Sequence, residues 1–308
     1  MPDRPEITVA VPTCQGARHL AETLRGILGQ GGDPVLLIVD DRSTDDTLGI
    51  VRTECGDRAR ILVNGERLGL AGNWNRCVAE SRTPWVALFH QDDLMLPGHL
   101  GAHLGAIRRE PRAGFLCGAA AVVDDQGRSI PGNVVGTGDL GPADRRFGAG
   151  AFLPHLAAGN PVRCSTVTLS REAHTQAGGF DPAFKYAVDW DFWIRVARRR
   201  PVAWLAAQTV AVRWHPASET HRFAAGTVDL EEQSGLMDRL IVELGGDRRL
   251  RAAADRRLSR AYLNRAYEAS KGGDRRLSRR CLGRAVKLWP GIVGRIVADP
   301  RLALRLIK

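Results

Sequence analysis

Along the first 123 residues short apolar runs alternate with amphipathic stretches, and this alternation predicts an α/β chain whose central sheet is mostly parallel and flanked by helices. The strands are expected at Ile7 to Val11, Val35 to Asp40, Arg60 to Val63 and Trp85 to His90, with helices at Ala17 to Leu28, Asp45 to Arg52 and Leu70 to Ser81. In such sheets the ligand crevice lies outside the carboxyl ends of the strands. Each run ends in polar residues suited to that place: "PTCQG", "DDRSTDD", "NGERLG" and "QDD" in turn.

Beyond a further strand near Gly114 to Val123, the polar, Gly-rich stretch from Asp124 to Gly150 has little periodicity and reads as a loop region. A strand at Ser165 to Ser170, the turn "GGFD" at Gly178 to Asp181, a helix starting near Asp189 and a strand within "VAWLAAQTVAVRWH" follow. From about Thr227 the chain reads as nearly all helix: Ala and Leu recur three to four apart, and "KGGD" separates two helices. Two domains are expected, 1–225 carrying the sheet and 226–308 as a helical C-terminal appendage.

Composition changes this picture in one respect. The apolar fraction of 44% and the charged fraction of 25% are ordinary for a globular protein, but the net charge of +10 is unevenly placed. Residues 248–308 hold 18 Lys/Arg against 4 Asp/Glu, so the remainder of the chain is net negative. Six cysteines are scattered without a CxxC pair, which suggests neither a zinc knuckle nor a disulfide framework. No basic segment followed by a long apolar run opens the sequence, and no stretch approaches the roughly 18 apolar residues of a spanning helix. A cytoplasmic protein is the expectation.

The carboxylates carry the candidate chemistry. Asp40 and Asp41 end a strand, while Ser43, Thr44 or Asp45 can cap the next helix, so part of that turn has a purely structural reading. Asp92 and Asp93 follow another strand side by side. Like charges this close raise one another's pKa unless a cation lies near, and a divalent metal or plain solvation at a loop would each answer that. A third acidic place is "VDWDFWIR", where Asp189 and Asp191 would point about 200° apart on a helix and so cannot share one role. Three Asp-rich places brought to one edge of a sheet point to a metal and nucleotide site. A diphosphate leaving group needs a divalent cation to take up developing charge, and Mg²⁺ and Mn²⁺ favour oxygen ligands.

The order of "ITVAVPTCQG", "LLIVDDRSTDDT", "NGERLGLAGNWN", "ALFHQDDLMLP" and "GGFDPAFKYAVDWDFWIRVARR" resembles the family 2 glycosyltransferases, inverting enzymes of the GT-A fold, over roughly residues 6–216. The resemblance implies a nucleoside diphosphate-sugar donor, Mn²⁺ or Mg²⁺ as cofactor, and direct displacement at the anomeric carbon. It implies that Thr13 lies against the base, that Asp41 reads base or ribose, and that Arg67 and Asn73 line the same pocket. Asp92 takes the place of the metal ligand of the family's Asp-x-Asp motif, counted also among the nucleotide contacts, with Asp93 beside it. Asp189 stands where the general base stands, and His215 in "RWH" matches a His that completes the metal or diphosphate site in some members. The acceptor implied is a cell-surface glycan or glycolipid.

Two positions depart from that pattern: His90 replaces the first acid of Asp-x-Asp, and Val188 replaces the acid before the base. They motivate a rival reading, a nucleotide-sugar-binding pseudoenzyme or regulatory module without transfer activity. Trp190, Trp193 and Trp204 read as core, while Trp74 fits either core or donor pocket. The basic tail admits solvated Arg-rich faces, a membrane-surface role at the inner leaflet beside a lipid-linked acceptor, or nucleic-acid binding. No aromatic platform accompanies the charge, and no nucleic acid is expected as partner.

Overall fold

The computed structural model describes residues 7–31, 34–135, 140–215, 218, 222–223 and 225–298. The tail beyond Ala298, part of the expected basic appendage, lies outside the described residues. The chain forms two compact units. The first comprises 1–152, 161–183 and 188–215, and the second comprises 153–160, 184–187 and 216–308.

The first unit is an α/β arrangement around one central sheet. Its first four long strands, β1 (Ile7–Thr13), β2 (Val35–Asp40), β3 (Ala59–Val63) and β4 (Trp85–Leu88), are joined by α1 (Leu20–Leu28), α2 (Thr47–Cys55) and α3 (Gly69–Glu80). They pair in parallel in the order β3-β2-β1-β4. Every residue of β1 and β4 is buried, as strands covered on both faces require. Val9, Val11, Leu24, Ile27, Ile38 and Phe89 belong to the core between sheet and helices.

Register fixes the functional edge. Thr13 pairs with Asp40, Asp40 with Val63, and Ala10 with Leu88. The ladder runs on past the strand ends, with Asp41 N–H on Thr13 O at 2.8 Å, Asn64 N–H on Asp40 O at 2.9 Å and Phe89 N–H on Ala10 O at 2.9 Å. The four polar turns that follow these strands therefore emerge side by side.

Beyond β4 the sheet is mixed. After β5 (Leu94–Met95), α4 (His99–Arg109), β6 (Phe115–Val123), β7 (Ser129–Val135), β8 (Arg145–Phe147), β9 (Thr168–Ser170) and β10 (Val202–Arg213), it continues β4-β9-β6-β10-β5, with β7 on β6 and β8 on β10. Only β6 and β10 of this group run parallel. The stretch Asp124 to Gly150, expected to be loop, thus contains two strands. β7 folds back on the preceding β6 as a hairpin, with Ser129 opposite Val123, while β8 pairs with the distant β10, Phe147 opposite Val202; neither pairing shows in local periodicity. The strand expected at Ser165 to Ser170 is shorter: Cys164–Thr166 form a 3₁₀ turn first.

Around the "GGFD" turn, α5 (Leu153–Ala158) of the second unit precedes α6 (Arg171–Ala177) and α7 (Val188–Ala197) of the first. Gly178, at φ 82°, ends α6 in the left-handed conformation that a side chain resists. Trp193 and Trp204 are fully buried and Trp190 nearly so, as core tryptophans should be.

In the second unit α8 (Val228–Glu243), α9 (Arg248–Lys271), α10 (Arg275–Leu288) and α11 (Ile292–Ala298) follow one another. Asp247 and Asp274 cap the starts of α9 and α10 through backbone N–H groups, and Gly272 and Gly273 fall in the break expected at "KGGD". Leu230, Tyr262, Leu263, Ala266, Cys281, Ala285 and Ile292 form its apolar centre. The exposed face of α10 carries Arg275, Arg276, Arg279 and Arg280. Asp229, buried, is paired with Arg265 at 2.8 Å.

Candidate active site

The turns after β1, β2 and β3 make one hydrogen-bonded floor. Thr13 Oγ1 donates to Asp40 Oδ2 at 2.9 Å, and the Ser43 hydroxyl donates to the same oxygen at 2.6 Å. Asp41 is buried and accepts from Asn64 Nδ2 at 2.6 Å and from the N–H groups of Leu68 and Gly69 at 2.8 and 2.9 Å. A carboxylate so placed sits at the positive start of α3. Asn73 joins from inside α3, giving its Nδ2 to Val39 O and accepting from Asn64. Arg67 stays exposed at the rim with Nη2 3.2 Å from Cys14 Sγ. Thr13, Asp41, Asn73 and Arg67, four residues singled out from the sequence, therefore meet on one patch.

Gln91 ties that floor to the end of β4. Its side-chain amide accepts from Cys14 N–H at 2.9 Å and donates to Cys14 O at 3.0 Å. A Cβ on Gly16 would stand 2.3 Å from Gln91 Oε1, so the clamp needs glycine there.

Asp92 and Asp93 have separate environments. Asp93 is buried, its Oδ1 accepting Arg213 N–H at 2.8 Å and its Oδ2 the Ser165 hydroxyl at 2.5 Å. Burial, then the charge of Asp92, pushes its carboxyl up to about 6. Asp92 sits closer to solvent, and its Oδ2 lies 2.9 Å from His215 Nε2. Burial pushes Asp92 upward too, but the His215 hydrogen bond and the charges of His90 and His215 outweigh that and hold it below the ordinary carboxylate value. The expected mutual repulsion is therefore divided unequally: one acid is anchored below, the other is ionised at the edge.

His90, the departure from the family pattern, stacks on Trp74 with centroids 5.4 Å apart, and its Nδ1 lies 4.0 Å from Asp93 Oδ2. Trp74 is buried and also meets Phe180 edge-on at 5.2 Å. It is a core residue that supports the site from behind.

Asp189 occupies the first turn of α7, half-buried, and accepts the Trp190 N–H at 2.7 Å. Asp191, on the opposite side of the helix, pairs with Arg195 at 2.8 Å. The Cys164 thiol is pushed well up, first by burial and then by the charges of Asp189 and Asp93. Asp189 and Asp93 thus both act on this buried thiol, whereas Asp191 is taken up by Arg195.

Several residues of the site were invisible as motifs. Arg213, buried at the end of β10, donates Nε to Asp92 O at 2.9 Å, Nη1 to Asp125 O at 3.1 Å and Nη2 to Glu22 Oε2 at 2.6 Å. His19 Nε2 lies 3.1 Å from Asp125 Oδ1, and the His19 and His215 rings are 5.0 Å apart. Burial, with the charges of Arg213 and His215, lowers the His19 pKa. The position of Arg213 next to "WH" was the one available signal; His19, Asp125 and Ser165 had none, because each depends on tertiary placement.

The acid pair fits a divalent cation. His90, Asp92 and Asp93 each bring one donor atom within 4.8 Å of the others, and His90 Nε2 is buried without a hydrogen-bond partner. Buried polar atoms without partners are costly, and a cation is one way to relieve that cost.

The family model for "Glycosyl transferase family 2" matches residues 8–159. Over 265 residues the chain is 30% identical to "Uncharacterized protein MT1568" of Mycobacterium tuberculosis (strain CDC 1551 / Oshkosh), covering 82% of this chain and 81% of that protein. It is 27% identical to the succinoglycan biosynthesis protein ExoO of Rhizobium meliloti (strain 1021) over 122 residues, which is 39% of this chain and 33% of that one. Among solved structures it resembles S. aureus TarS 1-349 in complex with UDP-GlcNAc, with a TM-score of 0.62 and 16% identity over 94% of this chain and 82% of that chain. The polar strand ends, the acid pair and these likenesses agree: the chain belongs to glycosyl transferase family 2 and has the GT-A fold.

Proposed function

We propose that this glycosyltransferase moves a sugar from a nucleoside diphosphate-sugar donor to a hydroxyl of a growing glycan or glycolipid, with inversion at the anomeric carbon. The observation that carries the reading is the shared sheet edge on which the group formed by Thr13, Asp41, Arg67 and Asn73 lies next to the turn that holds Asp92. Thr13, Asp41, Arg67 and Asn73 are taken to hold the base and ribose end. The structure of TarS holding UDP-GlcNAc supports a donor of that class, and the ExoO likeness supports a polysaccharide acceptor.

In the proposed reaction Asp189 takes the proton of the acceptor hydroxyl as that oxygen attacks the anomeric carbon opposite the leaving group. A carboxylate positioned at the attacking hydroxyl is the group such general-base catalysis needs. The diphosphate departs toward Asp92. A divalent cation, Mn²⁺ or Mg²⁺, supplies positive charge for that leaving group when bound. Asp92 would hold it, with His215 alongside and Asp93 adding charge from beneath, its own oxygens being engaged by Ser165 and Arg213. One displacement inverts the centre, so no covalent glycosyl-enzyme intermediate is involved.

A thermal-shift screen of nucleoside diphosphate sugars with Mn²⁺ or Mg²⁺ identifies the donor, because binding to the folded state alone stabilises it. Proton NMR of the first product then reads the anomer. Retention would remove the inverting mechanism, and donor binding without turnover on any hydroxyl acceptor would favour the binding-module alternative.

The second unit is proposed to rest on an anionic membrane surface at the cytoplasmic face. No helix among the described residues is long and apolar enough to cross a membrane. Exposed Val293 and Val297 flank the exposed Arg295 on α11, and α10 adds its arginine face, a combination suited to anionic lipid headgroups. Flotation with anionic but not zwitterionic vesicles is the expected result; equal behaviour with both would leave the arginines as solvated faces.

A further inference from the structure

We propose that His19, Asp125 and His215 form a second divalent-cation site, beside the acid pair, which takes a nitrogen-preferring transition ion such as Zn²⁺ or Co²⁺ over Mg²⁺. The three residues each bring one donor atom within 4.8 Å of the other two. His215 is the residue shared with the proposed donor site; no role in holding the donor is assigned to His19 or Asp125.

His215 is prepared as a ligand on one side and unused on the other. Its Nε2 is 2.9 Å from Asp92 Oδ2, while its Nδ1 is buried and has no hydrogen-bond partner. A carboxylate only accepts, so in the neutral imidazole Nε2 carries the proton and Nδ1 keeps the lone pair. A histidine that donates one ring N–H to a carboxylate and offers the other nitrogen is the usual arrangement of a metal-bound imidazole. Asp92 then orients the ligand rather than being one.

The other two donors are held by their surroundings. His19 precedes α1, and its carbonyl accepts from Glu22 N–H at 3.1 Å and Thr23 N–H at 3.3 Å. Asp125 is fixed through its own carbonyl, which takes Arg213 Nη1 at 3.1 Å. The Arg213 guanidinium would repel a cation, but Glu22 pairs with it at 2.6 Å. Arg18 also pairs with Asp125, from an exposed position, and competes for the carboxylate an ion would use.

Two imidazoles and one carboxylate are the donor set of tetrahedral or five-coordinate zinc-type sites with an open position. Mg²⁺ demands six hard oxygens in near-octahedral order and dehydrates reluctantly, so it is the poorer match. The open position would face water or an anionic ligand oxygen.

The test is a titration of the chelator-treated full-length chain with Co²⁺, without nucleotide, read by visible d–d absorption. Expected is a saturable band that excess Mg²⁺ does not abolish. His19→Gln and Asp125→Asn should each weaken Co²⁺ binding by about tenfold or more, and Arg18→Gln should tighten it by roughly threefold through loss of a competing cation. No band in the wild type, or Co²⁺ affinity in both His19→Gln and Asp125→Asn matching the wild type, would overturn the site. Because the readout is absorption, loss of this site is separable from failure of the transferase reading, which shows as absent sugar transfer whatever the Co²⁺ titration gives.

Discussion

The backbone N–H of Arg213 donates to Asp93 Oδ1 at 2.8 Å, so the last residue of β10 holds the buried member of the acid pair in place. The same residue's guanidinium reaches the Asp92 carbonyl, the Asp125 carbonyl and Glu22. One arginine thereby links the end of β10, the turn after β4, the start of the β6–β7 connection and α1. The acids can be close together because the strand that brings Arg213 also supplies their anchoring.

That anchoring has a pH signature. Asp93's folded-state pKa is raised to about 6 by burial and by Asp92, so the folded chain holds its proton more tightly than the unfolded chain does. The stabilisation is fully present below the unfolded value and is lost as pH rises through about 6. Asp93→Asn, which keeps an acceptor oxygen for Arg213, should therefore melt a few degrees higher than the wild type at pH 8 and no higher at pH 4. Calorimetry at both pH values checks this; an equal offset at both would mean that ionisation is not the cause.

Asp189→Asn should retain the fold, since Asn keeps an oxygen for the Trp190 N–H. Loss of a general base costs about 10²- to 10⁴-fold in rate. With the donor identified, kcat should fall by that order while donor affinity by calorimetry stays within about twofold. The control Asp191→Asn removes a largely buried pair with Arg195 on the other side of the helix and should leave kcat nearly unchanged. If both variants lose activity equally, the loss comes from α7 as a whole.

The first four strands were legible because each is a short apolar run, buried throughout in β1 and β4, nearly so in β2 and half-buried in the edge strand β3, and parallel pairing then places their polar ends together. The same reading foresaw the opposed faces of Asp189 and Asp191. It failed between Asp124 and Gly150, where β7 exists through its hairpin with β6 and β8 through pairing with the distant β10. It also missed the division of labour between Asp92 and Asp93, which rests on Ser165, Arg213 and His215, residues 72 to 123 positions away. His19 and Asp125 had no local pattern at all, since their juxtaposition arises from two turns separated by 106 residues.

The Gln91 clamp predicts non-additive mutations. Gly16→Ala would press a methyl group against Gln91 Oε1 and break both bonds to Cys14, destabilising by about 1–3 kcal/mol as overpacking does. Gln91→Ala removes the obstacle and the clamp together. In the double variant the Gly16→Ala penalty should fall to a fraction of its value against wild type, a coupling of about 0.5–3 kcal/mol. Denaturant melts of the four proteins supply the cycle, and strict additivity would place the strain of Gly16→Ala elsewhere.

His99 and His103 sit one turn apart on α4, both buried, with ring centroids 4.1 Å apart. Burial lowers His99 to about 4, and burial with the neighbouring His99 charge takes His103 well below the ordinary value. The unfolded chain therefore binds more protons than the folded one as pH falls from about 6.5 toward 4, so stability drops over that interval. Asp93 acts in the opposite direction across part of it, which makes the wild-type curve alone ambiguous. His103 Nδ1 has no hydrogen-bond partner, and replacing an unpaired buried polar group by an apolar one of similar size is close to neutral or stabilising. His103→Leu should thus match or exceed the wild-type melting temperature at pH 7.5 and lose less of it on moving to pH 5. A parallel loss in both proteins would show that this histidine does not take up a proton when the chain unfolds in acid.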